Sequence, residues 1–196
     1  MIEVASGLFA ERGFGGVSMD DIAKASGITK PMLYAYFDSK EGLFAACAQQ
    51  AGEHLRDDLR QVGLRDDLRP DQQLWEGIQR VFAFVEENHD GWLLLYPEGG
   101  LASGSIGAGA VAARDAMADL LTELFSRAAR AQGLSEEALA HTEAIAHSFT
   151  AATIGAASHW AKREDEPRDV AALRLMNLLW IGCGGLLEGK LWLPKK

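Results

Sequence analysis

Thr29, Lys30, Pro31 and Met32 open a short segment with helical apolar spacing, and together they have the chemistry of a surface that meets an anion or the edge of a base. A helix beginning here turns its unsatisfied N–H groups and the positive end of its dipole outward through these same residues. Lys30 facing a guanine, and Pro31 or Met32 against a thymine methyl, are pairings that such a set allows. Charge supports the location: between residues 24 and 40, Lys24, Lys30 and Lys40 face one acid, Asp38.

Other chemistry is thinner. His54, His89, His141, His147 and His159 form no HExxH and no pair of Glu-x-x-His motifs on facing helices, as a helical metal site would want. Glu143 and His147 do share a helix face at i, i+4, which leaves a helix-bundle enzyme or metal-binding protein as the alternative class. A surface hydrogen bond or a pocket-lining pair is the plainer reading of those two. Residues 104–109 are glycine-rich but follow no strand and lack the Lys-Ser/Thr of a phosphate loop, so they read as a connector. There is no GxSxG and no Cys/His pairing. Cys47 and Cys183 stand far apart, outside any disulfide or zinc pattern. No catalytic residue, metal or cofactor is expected.

The elements that position these residues are helices. Apolar residues recur at three and four positions almost everywhere, which predicts an all-α fold of about nine helices. The chain has 196 residues, 48% of them hydrophobic and 24% charged, the balance of a soluble globular protein. Its net charge of −9 excludes a protein that coats nucleic acid or anionic membrane with its whole surface, yet allows a local basic patch. Residues 144–161 are uncharged but too polar for a membrane span, and the opening MIEVASGLFAERG lacks a basic leader. A cytoplasmic protein without membrane contact is the expectation.

Along the chain, Ile2, Ala5 and Phe9 line a first helix that closes at Gly13. Ser18 with Asp21 is a capping-box start for a second, short helix ended by Gly27. Thr29 caps a third, held down by Leu33 and Phe37. Asp38 with Glu41, or Ser39 alone, caps a long fourth helix with the apolar stripe Leu43, Phe44, Cys47, Ala51, Leu55, Leu59 and Val62. From Pro70 the helices lengthen. One runs to about Glu87, a short apolar piece spans Trp92–Tyr96, and Gly99–Gly109 connects to helices over about Ala110–Ala131, Ser135–Lys162 and Pro167–Leu191. The expected division is 1–62 and 63–196.

Two short helices joined by Gly27 form a helix-turn-helix pattern, whose second helix enters the DNA major groove. The text around it, LFAERGF followed by SMDDIAKASGITKPMLYAYFDSKEGLF, resembles the amino-terminal domain of the TetR family of bacterial transcriptional regulators across residues 4–47. The resemblance implies that Tyr34 and Tyr36 bond backbone phosphates through their hydroxyls and that Lys40 holds another phosphate. Ser18 can do the same at the second helix. Such contacts set register, while the residues that reach base edges set preference.

The same resemblance implies a homodimer on palindromic double-stranded operator DNA, its recognition helices about 34 Å apart. The last two helices then pair with their two-fold copies, through Ser148, Ala152 and Gly155 on one and Trp180, Gly184 and Leu187 on the other, where small residues let helix axes approach. The bundle of residues 63–196 is expected to enclose an apolar cavity for a small, mainly hydrophobic effector. Its candidate lining is Trp75, Phe82, Trp92, Tyr96, Met117, Phe125 and Trp160, with Glu143, His147 and Asn177 as polar groups. Effector-relieved repression, with the fourth helix as lever, is the expected mechanism.

Overall fold

The three- and four-residue spacing folds the chain into helices. The computed structural model describes residues 1–96, 105–133, 139–163 and 165–187, and for 105–110 and 182–187 the backbone alone. Among the described residues there are nine helices and no strand: α1 (Ile2–Gly16), α2 (Met19–Ala25), α3 (Lys30–Phe37), α4 (Lys40–Gly63), α5 (Pro70–Glu87), α6 (His89–Leu95), α7 (Ser105–Ala131), α8 (Thr142–Trp160) and α9 (Arg168–Leu187). The all-α expectation holds.

Several boundaries move. Gly13 breaks α1 with φ 66, as its position predicts, but one more helical turn follows it to Gly16. α7 begins at Ser105, so the second half of the expected Gly99–Gly109 connector is helix. A glycine costs about 1 kcal/mol against alanine in a helix, which an element of 27 residues can absorb. The first half, residues 99–104, lies outside the described residues. α8 begins at Thr142, because the Thr142 hydroxyl bonds back to the Leu139 carbonyl at 2.7 Å and closes a turn there. The expected start at Ser135 and the expected end of α9 at Leu191 lie outside the described residues.

The chain divides into two compact units, Met1–Arg56 with Phe84–Ala116, and Asp57–Ala83 with Met117–Lys196. This differs from a cut after residue 62, since α4, α5 and α7 are long and each contributes residues to both units.

In the first unit, Phe9, Phe14 and Phe44 meet with ring centroids 5.2 to 5.9 Å apart and tie α1 to α4. Ile22, Leu33, Leu43, Cys47 and Leu55 are buried beside them. Each buried Ile or Leu side chain contributes about 1.5–3 kcal/mol of hydrophobic stabilisation. Burial also pushes the Cys47 thiol above its ordinary pKa. α6 packs against α1, where Gly7 leaves room for the Asp90 carboxylate. In the second unit α8 packs on α9. Phe82 meets Trp160 at 5.3 Å and Phe125 meets Phe149 at 5.1 Å. The Trp160 indole donates to the Glu166 carbonyl at 2.9 Å, which fixes the turn into α9.

The turn into α4 gives a test. Ser39 Oγ accepts from Gly42 N at 3.0 Å, and a Cβ at Gly42 would lie inside the van der Waals shell of the Phe37 carbonyl oxygen. Alanine gains up to about 1 kcal/mol of helix propensity, but a backbone carbonyl cannot swing aside, so overpacking wins. Gly42→Ala is expected to destabilise the protein by about 1–3 kcal/mol in denaturant unfolding. Gly15→Ala, which meets nothing within 4 Å, is the control and leaves stability unchanged or slightly raised.

Candidate nucleic-acid interface

Local chemistry builds the α2–turn–α3 unit. Ser18 Oγ accepts from Asp21 N at 3.2 Å, and the Asp21 carboxylate accepts from Ser18 N at 3.0 Å, a reciprocal box that satisfies two orphan donors at the head of α2. The side-chain and backbone hydrogen bonds from Ser18 hold the Asp21 carboxyl below the usual carboxylate range. At the other end Gly27 takes φ 67, and Ile28 N reaches the Ala23 carbonyl at 3.0 Å while Gly27 N reaches that of Lys24 at 3.2 Å. These are the paired bonds of a glycine-closed helix end. Thr29 Oγ1 then caps α3 at Met32 N, and Pro31 stands in the first turn, where its missing N–H costs nothing.

α3 turns almost all of itself outward. Of its eight residues only Leu33 is buried, at 0% exposure, with Phe37 half-buried. Lys30, Pro31, Met32, Tyr34, Ala35 and Tyr36 are exposed, Met32 at 47% and Tyr36 at 68%. Ser18, Lys24 and Thr29 are exposed beside them. The structure thus leaves eight of the nine sequence-derived contact residues exposed on α2, the turn and α3, and an outward run of Met and Tyr has no core to serve.

Two lysines are already engaged. Lys30 Nζ donates to Asp20 Oδ2 at 2.9 Å across the turn, and that hydrogen bond holds the ammonium above its usual pKa. Lys40, the ninth residue, is half-buried. Its Nζ donates to the Phe14 carbonyl at 2.8 Å and the Val17 carbonyl at 3.0 Å, and it lies 4.1 Å from the Phe14 ring centroid. An ammonium has three donors. Two close the link between α1 and α2, and one remains.

An exposed recognition helix on a capped helix-turn-helix agrees with what known proteins show. The family model for bacterial regulatory proteins of the tetR family matches residues 1–47, and that for the tetracyclin repressor-like C-terminal domain matches residues 70–182. The chain belongs to the TetR family. This regulator is therefore a DNA-binding transcription factor and not an enzyme, and the alternative built on Glu143 and His147 falls. It is 29% identical over 184 residues to the HTH-type transcriptional activator FasR of Mycolicibacterium smegmatis, a match covering 93% of this chain and 80% of FasR. A TetR-like regulator from Rhodococcus sp. RHA1 superposes with a TM-score of 0.72 at 32% identity, covering 94% of this chain and 93% of that one. AibR, solved with isovaleryl coenzyme A and operator DNA, shares the fold with a TM-score of 0.66 at 24% identity, covering 90% of this chain and 94% of AibR.

The regulator's remaining candidates are distributed less simply. Trp92 and Tyr96 lie in the first unit with ring centroids 4.4 Å apart, whereas Trp75, Phe82, Met117, Phe125 and Trp160 lie in the second. The expected lining does not fall within one compact unit. Glu143 and His147 are exposed, because α8 buries Thr142, Ala146, Phe149, Thr150, Ala157 and Trp160 and so turns those two outward with Ser148 and Gly155. Asn177 is exposed too, its amide donating to the Leu173 carbonyl at 2.8 Å. In the single chain all three expected polar groups of the cavity thus face outward. Ala152 and Trp180 are half-buried, and the side chain of Leu187 and the surroundings of Gly184 lie outside the described residues. Missed from sequence were Asp20 and an exposed apolar stripe on α9, Val170, Leu173, Leu178 and Ile181. Helical periodicity marks such residues as apolar without saying which lack a neighbour. Among the described residues no helix is long and apolar enough to cross a membrane, and no group of three His, Cys, Asp or Glu is arranged to hold a metal.

Two substitutions separate the roles of the lysines. Asp20→Asn releases Lys30 and removes one negative charge facing DNA. Binding to duplex DNA should tighten several-fold, with the slope of log K against log salt steeper by up to about 1; unchanged affinity and slope would show that Lys30 does not meet DNA. Lys40→Met leaves two carbonyls unserved and should cost about 1–3 kcal/mol in unfolding of the DNA-free protein.

Proposed function

We propose that the regulator is a homodimeric repressor that holds a palindromic operator through α3 of each copy and is released by a small, mainly hydrophobic effector. The observation that carries the DNA half is the exposed Pro31, Met32, Tyr34 and Tyr36 face on a helix anchored by Leu33. Thr29, Lys30, Pro31 and Met32 read base edges, Ser18, Tyr34, Tyr36 and the spare donor of Lys40 hold phosphates, and Lys24 adds charge. The acidic remainder of a chain at −9 limits binding to unrelated sequence.

Surface that one chain leaves uncovered supports dimerisation. Leu178 and Ile181 are 68% and 73% exposed, and with Val170 and Leu173 they share a face of α9. Ser148 and Gly155 lie exposed on α8, and a Cβ at Gly155 would stand in open space. An exposed stripe of this kind supports a helix-pair interface between two copies.

The effector half draws on AibR, solved with isovaleryl coenzyme A and operator DNA, and on the paired rings Phe82–Trp160 and Phe125–Phe149 within this chain's second unit. α4 contributes to both units and is the natural lever from effector to α3. Linkage makes the coupling reciprocal: effector and operator each weaken the other by the same factor, typically worth ~1–3 kcal/mol. The regulator works in the cytoplasm, beside the chromosome. A second reading, activation, is favoured by the likeness to FasR, which is described as an activator.

The test begins with selection of bound duplexes from random DNA, for which a palindrome is expected. Tyr34→Ala should weaken binding to it about tenfold or more without changing stability. Ile181→Glu should yield monomers in sedimentation and lose cooperative operator binding; a dimer that survives this change places the interface elsewhere. In vitro transcription from a promoter bearing the palindrome then decides the sign. Less transcript with protein supports repression, and more transcript supports the second reading.

A further inference from the structure

An exposed acid stands among the residues assigned to DNA. Asp20 lies in the first turn of α2, and its carboxylate meets Lys30 Nζ at the head of α3, 2.9 Å away across the Gly27 turn. Lys24 sits at i, i+4 from Asp20, the spacing of an ion pair within one helix. Asp20 takes its cation from the next helix instead. The two side chains are 55% and 45% exposed, so both remain open to a partner while they hold each other. The hydrogen bond uses Asp20 Oδ2, and among the described residues Oδ1 accepts none.

Stability is a poor reason for this pair. Exposed ion pairs add little to folding, and α2 and α3 are already fixed by the Ser18 and Thr29 caps, the Gly27 turn and the buried Ile22 and Leu33. A carboxylate facing a polyanion is repelled unless the DNA offers it a donor. In the major groove the donors are the amino groups of cytosine N4 and adenine N6, and the best partners of a lysine are guanine O6 and N7.

The order of groups along the base edge decides between these. A G·C pair presents two acceptors and then a donor, whereas an A·T pair alternates acceptor, donor, acceptor. An ammonium has three donors. Lys30 uses one on Asp20, which leaves two N–H groups for N7 and O6, and Asp20 Oδ1 stands beside them for N4. Nζ and the carboxylate are one hydrogen bond apart, as guanine O6 and cytosine N4 are within their own pair.

We propose that Asp20 and Lys30 act as one reading head that selects a G·C pair in the bound sequence, Lys30 donating to guanine while Asp20 accepts from the N4 amino group of its cytosine. This rests on the reading of α3 as the helix that faces DNA. On unrelated sequence the carboxylate finds no donor and holds Lys30 back from the phosphates. Asp20 therefore lowers affinity for DNA in general and raises the contrast between one sequence and the rest.

The test is a base-by-base binding profile. A duplex selected with the wild-type full chain, and its set of single base-pair changes, are titrated with wild type, Asp20→Ala, Lys30→Met, Tyr34→Ala and Glu11→Gln. In wild type one G·C pair should matter at the position that Lys30→Met relaxes, its change to A·T or T·A weakening binding about fivefold or more. Asp20→Ala should lose the preference at that position, keep it at the others, and bind unrelated duplex more tightly than wild type. Glu11→Gln removes the same charge from an exposed residue of α1 outside the pair, and should leave the profile unchanged. A preference that survives Asp20→Ala overturns the proposal, as does an A·T pair at the position that Lys30→Met relaxes. If Tyr34→Ala weakens binding while Asp20→Ala keeps the wild-type profile, the reading head alone falls. If Tyr34→Ala and Lys30→Met both bind as wild type does, the reading of α3 falls with it.

Discussion

An eight-residue helix does not hold itself together in water, and α3 has one fully buried side chain with which to be held. Leu33 anchors it, Thr29 caps its start, and the Gly27 turn fixes its approach. Everything outward is thereby free to meet DNA. The rest of the first unit serves this constraint, because the surface under Leu33 must be rigid for the helix above it to be oriented. The Phe9, Phe14 and Phe44 cluster supplies that rigidity, and Lys40 closes the link from α1 to α2 by serving two carbonyls.

Charge is distributed to the same end. A chain at −9 would be a poor partner for a polyanion if its charges were spread evenly. Instead Lys24, Lys30 and Lys40 cluster at the helix-turn-helix, while most arginines are spent on neighbouring carboxylates. Exposed pairs of that kind add little stability. Their effect among the described residues is to neutralise most of the arginines outside the helix-turn-helix. Asp20 holds Lys30 by a hydrogen bond across the turn, and on the proposed reading it competes with DNA for that lysine.

What was legible in the sequence was local. The Ser18–Asp21 box, the Gly27 stop, the Thr29 cap with Pro31, and the Ser39 cap are set by side chains acting on backbone a few residues away, so spacing alone reveals them. The family resemblance carried the contact residues. What depended on distant partners was not legible: Lys40 reaches carbonyls 26 and 23 residues earlier, and Lys30 meets an acid ten residues before it. Glu143 and His147 looked like candidates because they share a helix face, but the pattern could not say that α8 turns this face outward. Glycines in residues 105–109 suggested a connector, whereas cooperativity of a long helix carried α7 through them.

The central claim is that the outward face of α3 is where the regulator meets DNA. Amide hydrogen exchange of the full chain, with and without a duplex obtained by selection, tests it most directly. The account predicts slowed exchange across residues 18–40, strongest from Thr29 to Tyr36. Protection that leaves α3 unchanged while appearing on another surface would contradict it.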